Sequence, residues 1–337
     1  RRNKFKQLNR PVLVSFSSER MDDNVASFVK GGKISKWFAR RVMGNYNFPS
    51  FDFHVTNSPY TAQEFYQSVL EKDNPRRNKK FLNFCWRFFK SPRVPIEERI
   101  YVCPSGVDAE QFSPDRKSEQ VRNQMIEKAG IPNDSIIILY AGRISPEKNV
   151  GLLLEFMKIL SKESDQDYRL LIAGAGPQAV WLQAETDKHL PHKIIQLGHL
   201  DKETLANFYA NADVFVHPNP KEPFGIAPLE AMASGVPTVV PNAGGLLFYA
   251  TNDNTWLVEP TAENFAAAIT EIINHPELRT KKIENALETV QNNTRIKSTD
   301  NLIATYDKMY ADFQQRNELF TNTNVSIDFD FAKELLG

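Results

Sequence analysis

Beyond residue 135 the chain alternates short, almost unbroken apolar runs with longer stretches whose apolar residues recur every three or four positions. The runs at 136–140, 168–173, 193–197, 213–217, 237–240 and 255–258 are rich in β-branched residues and read as strands, each followed by a helix or a turn. A strand that is apolar at every position is buried on both faces, and successive parallel strands need a crossover. The alternation therefore predicts right-handed β-α-β units around a buried parallel sheet, an α/β domain of Rossmann-like type. Ahead of it, 11–16, 51–56 and 100–103 look like further strands, with helical spacing at 34–42 and 61–70. One β-α unit takes about 30 residues, so this region holds three units and an insertion, an incomplete copy of the same architecture whose remaining units would lie upstream. From 261 the pattern is helical to about 315, and 321–337 reads as a loosely ordered tail. The expected division is a partial N-terminal domain at 1–115, with a basic and aromatic insertion at about 74–95, and a second domain at 116–300. A helix at 301–318 returns toward the first domain, and a tail occupies 319–337.

Length and composition agree with two globular domains: the chain has 337 residues, of which 41% are apolar and 24% charged. No apolar run approaches the roughly 18 residues needed to span a bilayer. The opening Arg1-Arg2-Asn3-Lys4-Phe5 has neither an initiating Met nor an apolar signal segment, which predicts that the natural beginning is missing. Two cysteines, Cys85 and Cys103, form no C-x-x-C pair; so few thiols suit a reducing cytoplasm and give no metal-thiolate site. Cations and acids balance over the whole chain, yet residues 1–100 hold 20 Lys and Arg against 9 Asp and Glu, and the remainder 21 against 32. That split points to an anionic partner for the N-terminal part, either nucleic acid or a phospholipid surface.

The segment from His217 to Glu230 places a strand end, a Pro/Gly loop and a helix start in succession, which is where an open α/β sheet binds ligands. The N–H groups of Phe224, Gly225 and Ile226 would point out of the helix start toward an anion, and Gly225 allows close approach to the backbone. Glu222 on the loop and Glu230 two turns into the helix reach toward one crevice, where carboxylates can accept hydrogen bonds from sugar or ribose hydroxyls. Arg143 and Lys148 follow the first strand of this domain, in a position to neutralise a diphosphate.

In combination these motifs resemble a known family. Pro104-Ser105-Gly106-Val107-Asp108 with Phe112-Ser113-Pro114, Gly142-Arg143 with Lys148, Gly174-Ala175-Gly176-Pro177, and Glu222 to Glu230 followed by Ala231-Met232-Ala233-Ser234-Gly235-Val236-Pro237 are similar to the family-four, retaining glycosyltransferases of GT-B architecture. The likeness runs from about residue 11 to 313. It implies two Rossmann-like domains facing a central cleft, with the N-terminal one incomplete here. It also implies a nucleotide-sugar donor, UDP- or GDP-linked, with no cofactor and no metal. Arg143 and Lys148 would clasp the diphosphate, Glu230 would hold the ribose, and Glu222 would meet the transferred hexose. The backbone at Phe224, Gly225 and Ile226 would meet the hexose hydroxyls and phosphates, and Gly198, His199 and Leu200 would border the base. Whether retention proceeds through a front-face step or a covalent intermediate on Glu222 stays open. Asp-x-Asp occurs at Asp165/Asp167 and Asp328/Asp330, in a polar turn and in the tail, and reads as chance.

The sequence also departs from the family. The glycine-rich loop that follows the family's first strand has no counterpart before Pro11, and Ser17-Ser18-Glu19-Arg20 stands where many relatives carry a histidine, leaving Ser17 and Glu19 as acceptor-side candidates. His54, His199 and His217 lie on or beside strands, where packed histidines are common. Arg76, Arg77, Lys79, Lys80, Phe81, Trp86 and Phe89 interleave cations with aromatics, as an interfacial helix does, with Trp37 and Phe38 adding to the face, and the same pattern also fits an inserted helix pair whose aromatics fill a local core. The expected partners are a lipid or glycan acceptor and an anionic membrane surface on the inner side, with no nucleic acid, since no nucleic-acid module accompanies the patch. Gly174-x-Gly176-x-x-Ala179 satisfies the loose dinucleotide pattern, but the next strand ends in Gly198-His199 without the ribose-binding acid. A GT-B sugar-nucleotide epimerase and a non-catalytic nucleotide-sugar-binding module are the competing readings.

Overall fold

The computed structural model describes residues 10–28, 32–70 and 79–321. The chain divides into two compact units, Arg1–Pro104 with Ser298–Gly337, and Ser105–Lys297. The first division falls before the expected 115/116 because the segment after Pro104 belongs to the second unit. There the Val107 N–H donates to Asn293 O (2.9 Å) and its carbonyl accepts from the Arg295 N–H (2.7 Å). Gly106 is needed at this crossing, since a Cβ there would lie 2.2 Å from the Thr294 carbonyl oxygen.

In the first unit three parallel strands, β1 (Val14–Ser17), β2 (Phe53–Thr56) and β3 (Ile100–Val102), lie in the order β1-β2-β3, with Val14 opposite Phe53 and His54 opposite Ile100. Phe53 and Val55 of the central strand pack on Met309, Phe313 and Phe320. On the other side Phe48 stacks on His54 (4.4 Å) and on Trp86 (5.7 Å). Such aromatic burial is the main stabilising contribution of a small core. Arg10 and Asp52 form a buried bidentate pair at 2.7 and 3.0 Å, and Arg10 also donates to Phe320 O.

The second unit holds six parallel strands, β4 (Ile136–Ala141), β5 (Tyr168–Ala173), β6 (Ile194–Gly198), β7 (Val214–Val216), β8 (Thr238–Pro241) and β9 (Trp256–Val258), in the order β6-β5-β4-β7-β8-β9. The sheet is doubly wound, and its order reverses between β4 and β7, the place where such sheets open a crevice for ligands. Alternate residues of β4 serve opposite faces. Ile137, Leu139 and Ala141 join one core with Tyr209, Leu229 and Met232. Ile138 and Tyr140 join the other with Leu153, Phe156 and Phe265. Both faces are covered, which is why the strands read as unbroken apolar runs.

Candidate functional site

Two loops at the carboxyl ends of β4 and β5 form one wall of the crevice, and they are joined backbone to backbone. Gly142 N–H donates to Ala173 O, Ile144 N–H to Ala175 O and Gln178 N–H to Ile144 O, at 3.0 Å each. A Cβ on Gly174 would sit 1.9 Å from Gly142 O, and one on Gly176 would sit 2.2 Å from Ile144 O. The glycines of the Gly-Ala-Gly-Pro motif therefore serve this crossing, which accounts for the motif without a dinucleotide. Arg143 lies on the same loop, its backbone carbonyl held by the Tyr140 hydroxyl at 3.0 Å. Its side chain is exposed and has no hydrogen-bond or ion-pair partner among the described residues.

At the end of β7 the chain turns through Pro218 to Gly225 into the helix Ile226–Ala233. Gly225 stands at its N-cap with φ 86°, a left-handed conformation that favours glycine. The first N–H groups of that helix have no intrahelical acceptor. Pro228, which lacks an N–H, falls in this first turn, where that donor would be unsatisfied anyway.

Glu222 is the most constrained side chain of the loop. Its Oε2 accepts from Lys148 Nζ (2.8 Å), Asn219 Nδ2 (2.9 Å) and His217 Nε2 (3.0 Å), while Oε1 has no partner among the described residues. Burial pushes this carboxyl up. The hydrogen bond from His217 and the Lys148 ammonium outweigh it and hold Glu222 well below the usual carboxylate range. Its carbonyl accepts from Gly245 N–H at 2.7 Å, and a Cβ on Gly244 would crowd that same oxygen at 3.0 Å. Glu230 is in the opposite state. Burial raises its pKa to about 7, against the pull of the Tyr209 hydroxyl, which donates to Oε2 at 3.2 Å, and of Lys202.

A cavity of about 400 Å³ is lined by Arg143, Gly174, His199, Leu200, Tyr209 and Glu230 together with neighbouring small residues. The structure thus brings Arg143, His199, Leu200 and Glu230 around one cavity and joins Lys148 to Glu222. Gly198, at φ 71°, closes the wall by accepting from Gly174 N–H at 2.8 Å. The Phe224 side chain is core, packed on Tyr249 (5.4 Å) and Phe248 (6.4 Å), so this residue offers its backbone alone, whereas Ile226 is exposed.

Sequence reasoning took His217 for a packed histidine and passed over Asn219 and Tyr209 as functional residues. The signal for His217 and Asn219 was their spacing from Glu222 across a loop leaving a strand end. His54, read in the same way, does pack: Ser15 Oγ lies 2.6 Å from its Nδ1 and Phe48 O lies 3.1 Å from its Nε2. Among the described residues no group of three His, Cys, Asp or Glu could hold a metal ion. Asp167 is engaged by Ser135, Arg169 and Lys193, and Asp328/Asp330 lie outside the described residues.

In the first unit, Ser17 ends β1 opposite Thr56, and exposed Glu19 accepts from Asn24. The aromatic insertion needs a correction. Trp86 is 8% exposed, and its indole N–H donates to Gly44 O at 3.0 Å, so it belongs to the core and offers no membrane contact. Phe89 is half-buried between Tyr46 (6.0 Å) and Phe88 (5.2 Å). The exposed face of the helix Lys79–Phe88 is instead Phe81, Phe84 and Phe88, with ring separations of 6.4 and 6.2 Å. Trp37 and Phe38 are exposed as well, with Arg41 over the Trp37 ring at 4.9 Å. Arg76, Arg77 and the side chains of Lys79 and Lys80 lie outside the described residues. No helix among the described residues is long and apolar enough to cross a membrane.

The chain is 33% identical over 225 residues to a GDP-mannose-dependent alpha-mannosyltransferase of Corynebacterium glutamicum, covering 65% of this chain and 50% of that protein. It is 33% identical over 175 residues to a GDP-mannose-dependent alpha-(1-6)-phosphatidylinositol dimannoside mannosyltransferase of Mycobacterium tuberculosis, covering 52% and 44%. The chain spans about half the length of the curated relatives it matches. Anabaena HepE, solved with UDP and glucose, superposes with a TM-score of 0.69 at 17% identity over 88% of this chain and 72% of its own, a likeness of fold, the GT-B fold of two Rossmann-like domains. Residues 121–289, half of the chain, match the family model described as glycosyl transferases group 1. The span takes in β4 through β9 with Arg143, Lys148, Glu222 and Glu230, and by that match the chain belongs to the glycosyl transferases group 1 family.

Proposed function

We propose that this chain transfers a hexose, with retention and without a metal, from a UDP- or GDP-linked donor to an acceptor hydroxyl. The observation that carries the reading is the convergence, at the carboxyl ends of the central strands β4 and β7, of Arg143, which has no partner among the described residues, the Lys148–Glu222 pair and the start of the helix Ile226–Ala233. When the bond from the anomeric carbon to the diphosphate breaks, its electron pair moves onto the departing phosphate oxygen, and Arg143, Lys148 and the helix dipole lie where that charge develops. Glu230 accepts from the ribose, Glu222 from the hexose, and the main chain at Phe224, Gly225 and Ile226 meets hexose hydroxyls and phosphates. Gly198, His199 and Leu200 border the base. The relative named for GDP-mannose supports a GDP-sugar, so both bases are tested. Calorimetric titration with UDP and GDP, with and without EDTA, should give binding to one nucleotide that survives EDTA and falls sharply in an Arg143→Ala, Lys148→Ala variant. Absence of binding to either would refute the reading. Donor binding without transfer would favour a non-catalytic module, and an epimerised sugar would favour the epimerase.

For the acceptor we infer a lipid or lipid-linked glycan at the inner face of a membrane, which the mannosyltransferase named for phosphatidylinositol dimannoside supports. The row of Phe81, Phe84 and Phe88 beside Arg87, Lys90 and Arg93, with no acid from 79 to 93, suits an anionic headgroup layer. Sedimentation with vesicles of anionic and of neutral lipid tests this, and equal binding to both would count against it.

A further inference from the structure

We infer that His217 and Asn219 are positioning residues that fix the Glu222 carboxylate with Oε1 turned to the substrate; the inference rests on the reading of Glu222 as the hexose-contacting group. Three donors converge on Oε2 and none of the described residues donates to Oε1. Because Glu222 is held ionised it can only accept, so His217 Nε2 carries the proton of the hydrogen bond between them.

The three donors are not equivalent. The Lys148 side chain is 25% exposed, whereas that of His217 is 5% exposed and Asn219 is buried. Lys148 is therefore the member that can turn to an anionic ligand, and His217 and Asn219 are the members that keep Oε2 satisfied when it does. A buried carboxylate deprived of all its donors would have to rotate or take up a proton.

The imidazole itself argues for a positioning role. His217 Nδ1 is buried and has no hydrogen-bond partner among the described residues, an arrangement that costs stability. His54, which packs in the first unit, uses both ring nitrogens. A ring that directs one nitrogen at Glu222 and leaves the other unsatisfied is placed for the carboxylate and not for packing. Asn219 is committed from both ends, since its Oδ1 accepts from Lys221 N–H at 2.9 Å while Nδ2 reaches Glu222, which ties the carboxylate to the loop backbone.

The test compares affinity for UDP and UDP-glucose, and for GDP and GDP-mannose, by calorimetry on the full chain. The variants are His217→Leu, His217→Gln, Asn219→Ala and Glu222→Ala, each checked by thermal unfolding. The expected result is that His217→Leu keeps the affinity for the nucleoside diphosphate within about twofold but loses about tenfold of the increment contributed by the hexose. His217→Gln, whose amide can supply the lost donor, should restore most of it, and Asn219→Ala should behave as His217→Leu does. Equal loss of nucleotide and nucleotide-sugar affinity in His217→Leu would make the ring structural and overturn the proposal, as would an unchanged increment. If Glu222→Ala itself leaves the increment intact, the underlying assignment of Glu222 fails. If Glu222→Ala abolishes it while His217→Leu and Asn219→Ala do not, only the positioning role fails.

Discussion

Glu230 sets a pH dependence that can be worked out in sign and size. Its carboxyl titrates at about 7 in the folded chain against an ordinary value of 4.5, because burial beside Tyr209 disfavours the charge. Between those two values the folded chain holds a proton that the unfolded chain has released, so stability is full below about pH 4.5 and is lost as pH rises through about 7. The displaced titration is worth about 3 kcal/mol at most. Glu64, buried in the first unit and also raised to about 7, acts in the same direction, so the wild-type profile alone does not isolate Glu230. Glu230→Gln keeps an acceptor for the Tyr209 hydroxyl and removes the charge. Urea unfolding of both chains at pH 5 and pH 8 should show the wild type losing more stability than the variant, by up to that amount. The ligand side has the opposite sign, since an ionised Glu230 is the better acceptor for ribose hydroxyls: nucleotide affinity should rise from pH 6 to pH 8 more steeply in the wild type than in Glu230→Gln. Parallel stability profiles, or identical affinity profiles, would refute the reasoning.

Glu222→Ala leaves three donors without their common acceptor, two of them buried, and should lower unfolding stability by about 2 kcal/mol, less than for a fully buried pair because Lys148 reaches solvent. Gly174→Ala forces a methyl to within 1.9 Å of the Gly142 carbonyl oxygen and should destabilise by about 3 kcal/mol, seen as a lowered melting temperature. Arg143→Ala removes an exposed side chain without a partner among the described residues, so stability should stay within about 0.5 kcal/mol while nucleoside diphosphate affinity drops. Trp86→Ala should cost about 3–5 kcal/mol, whereas Phe84→Ser, on the exposed row, should spare stability and reduce sedimentation with anionic vesicles.

The strands were legible because burial on both faces leaves a signature independent of the partner: 168–173 was read as a strand and is β5, and the others begin within two residues of their expected starts except β1, which begins three residues after the expected 11. What the sequence hid was direction. The helix Lys79–Phe88 carries large apolar residues on both of its sides, so spacing alone does not say whether Trp86 or Phe84 faces the core. The choice is made by Phe48 and the Gly44 carbonyl, which arrive from elsewhere in the chain. The Gly-Ala-Gly-Pro segment was legible as a motif but not as a contact, because the atoms that exclude a Cβ at Gly174 and Gly176 belong to a loop some thirty residues earlier. His217 looked like His54 because both lie on or beside strands; what separates them is whether the second ring nitrogen has a partner.

The backbone crossing of the β4 and β5 loops has a consequence for how such a crevice changes over time. Its wall is fixed by main-chain hydrogen bonds among Gly142, Ala173, Ile144, Ala175 and Gln178, with the glycine positions 174 and 176 too close to the facing carbonyls for a Cβ. Replacing exposed residues carried on these loops, Arg143 and its neighbours, therefore alters what the wall presents without altering where the wall stands. Replacing Gly174 or Gly176 shifts the wall itself. The first set of positions is free to explore new ligands, while the second keeps a constant frame against which those trials are made.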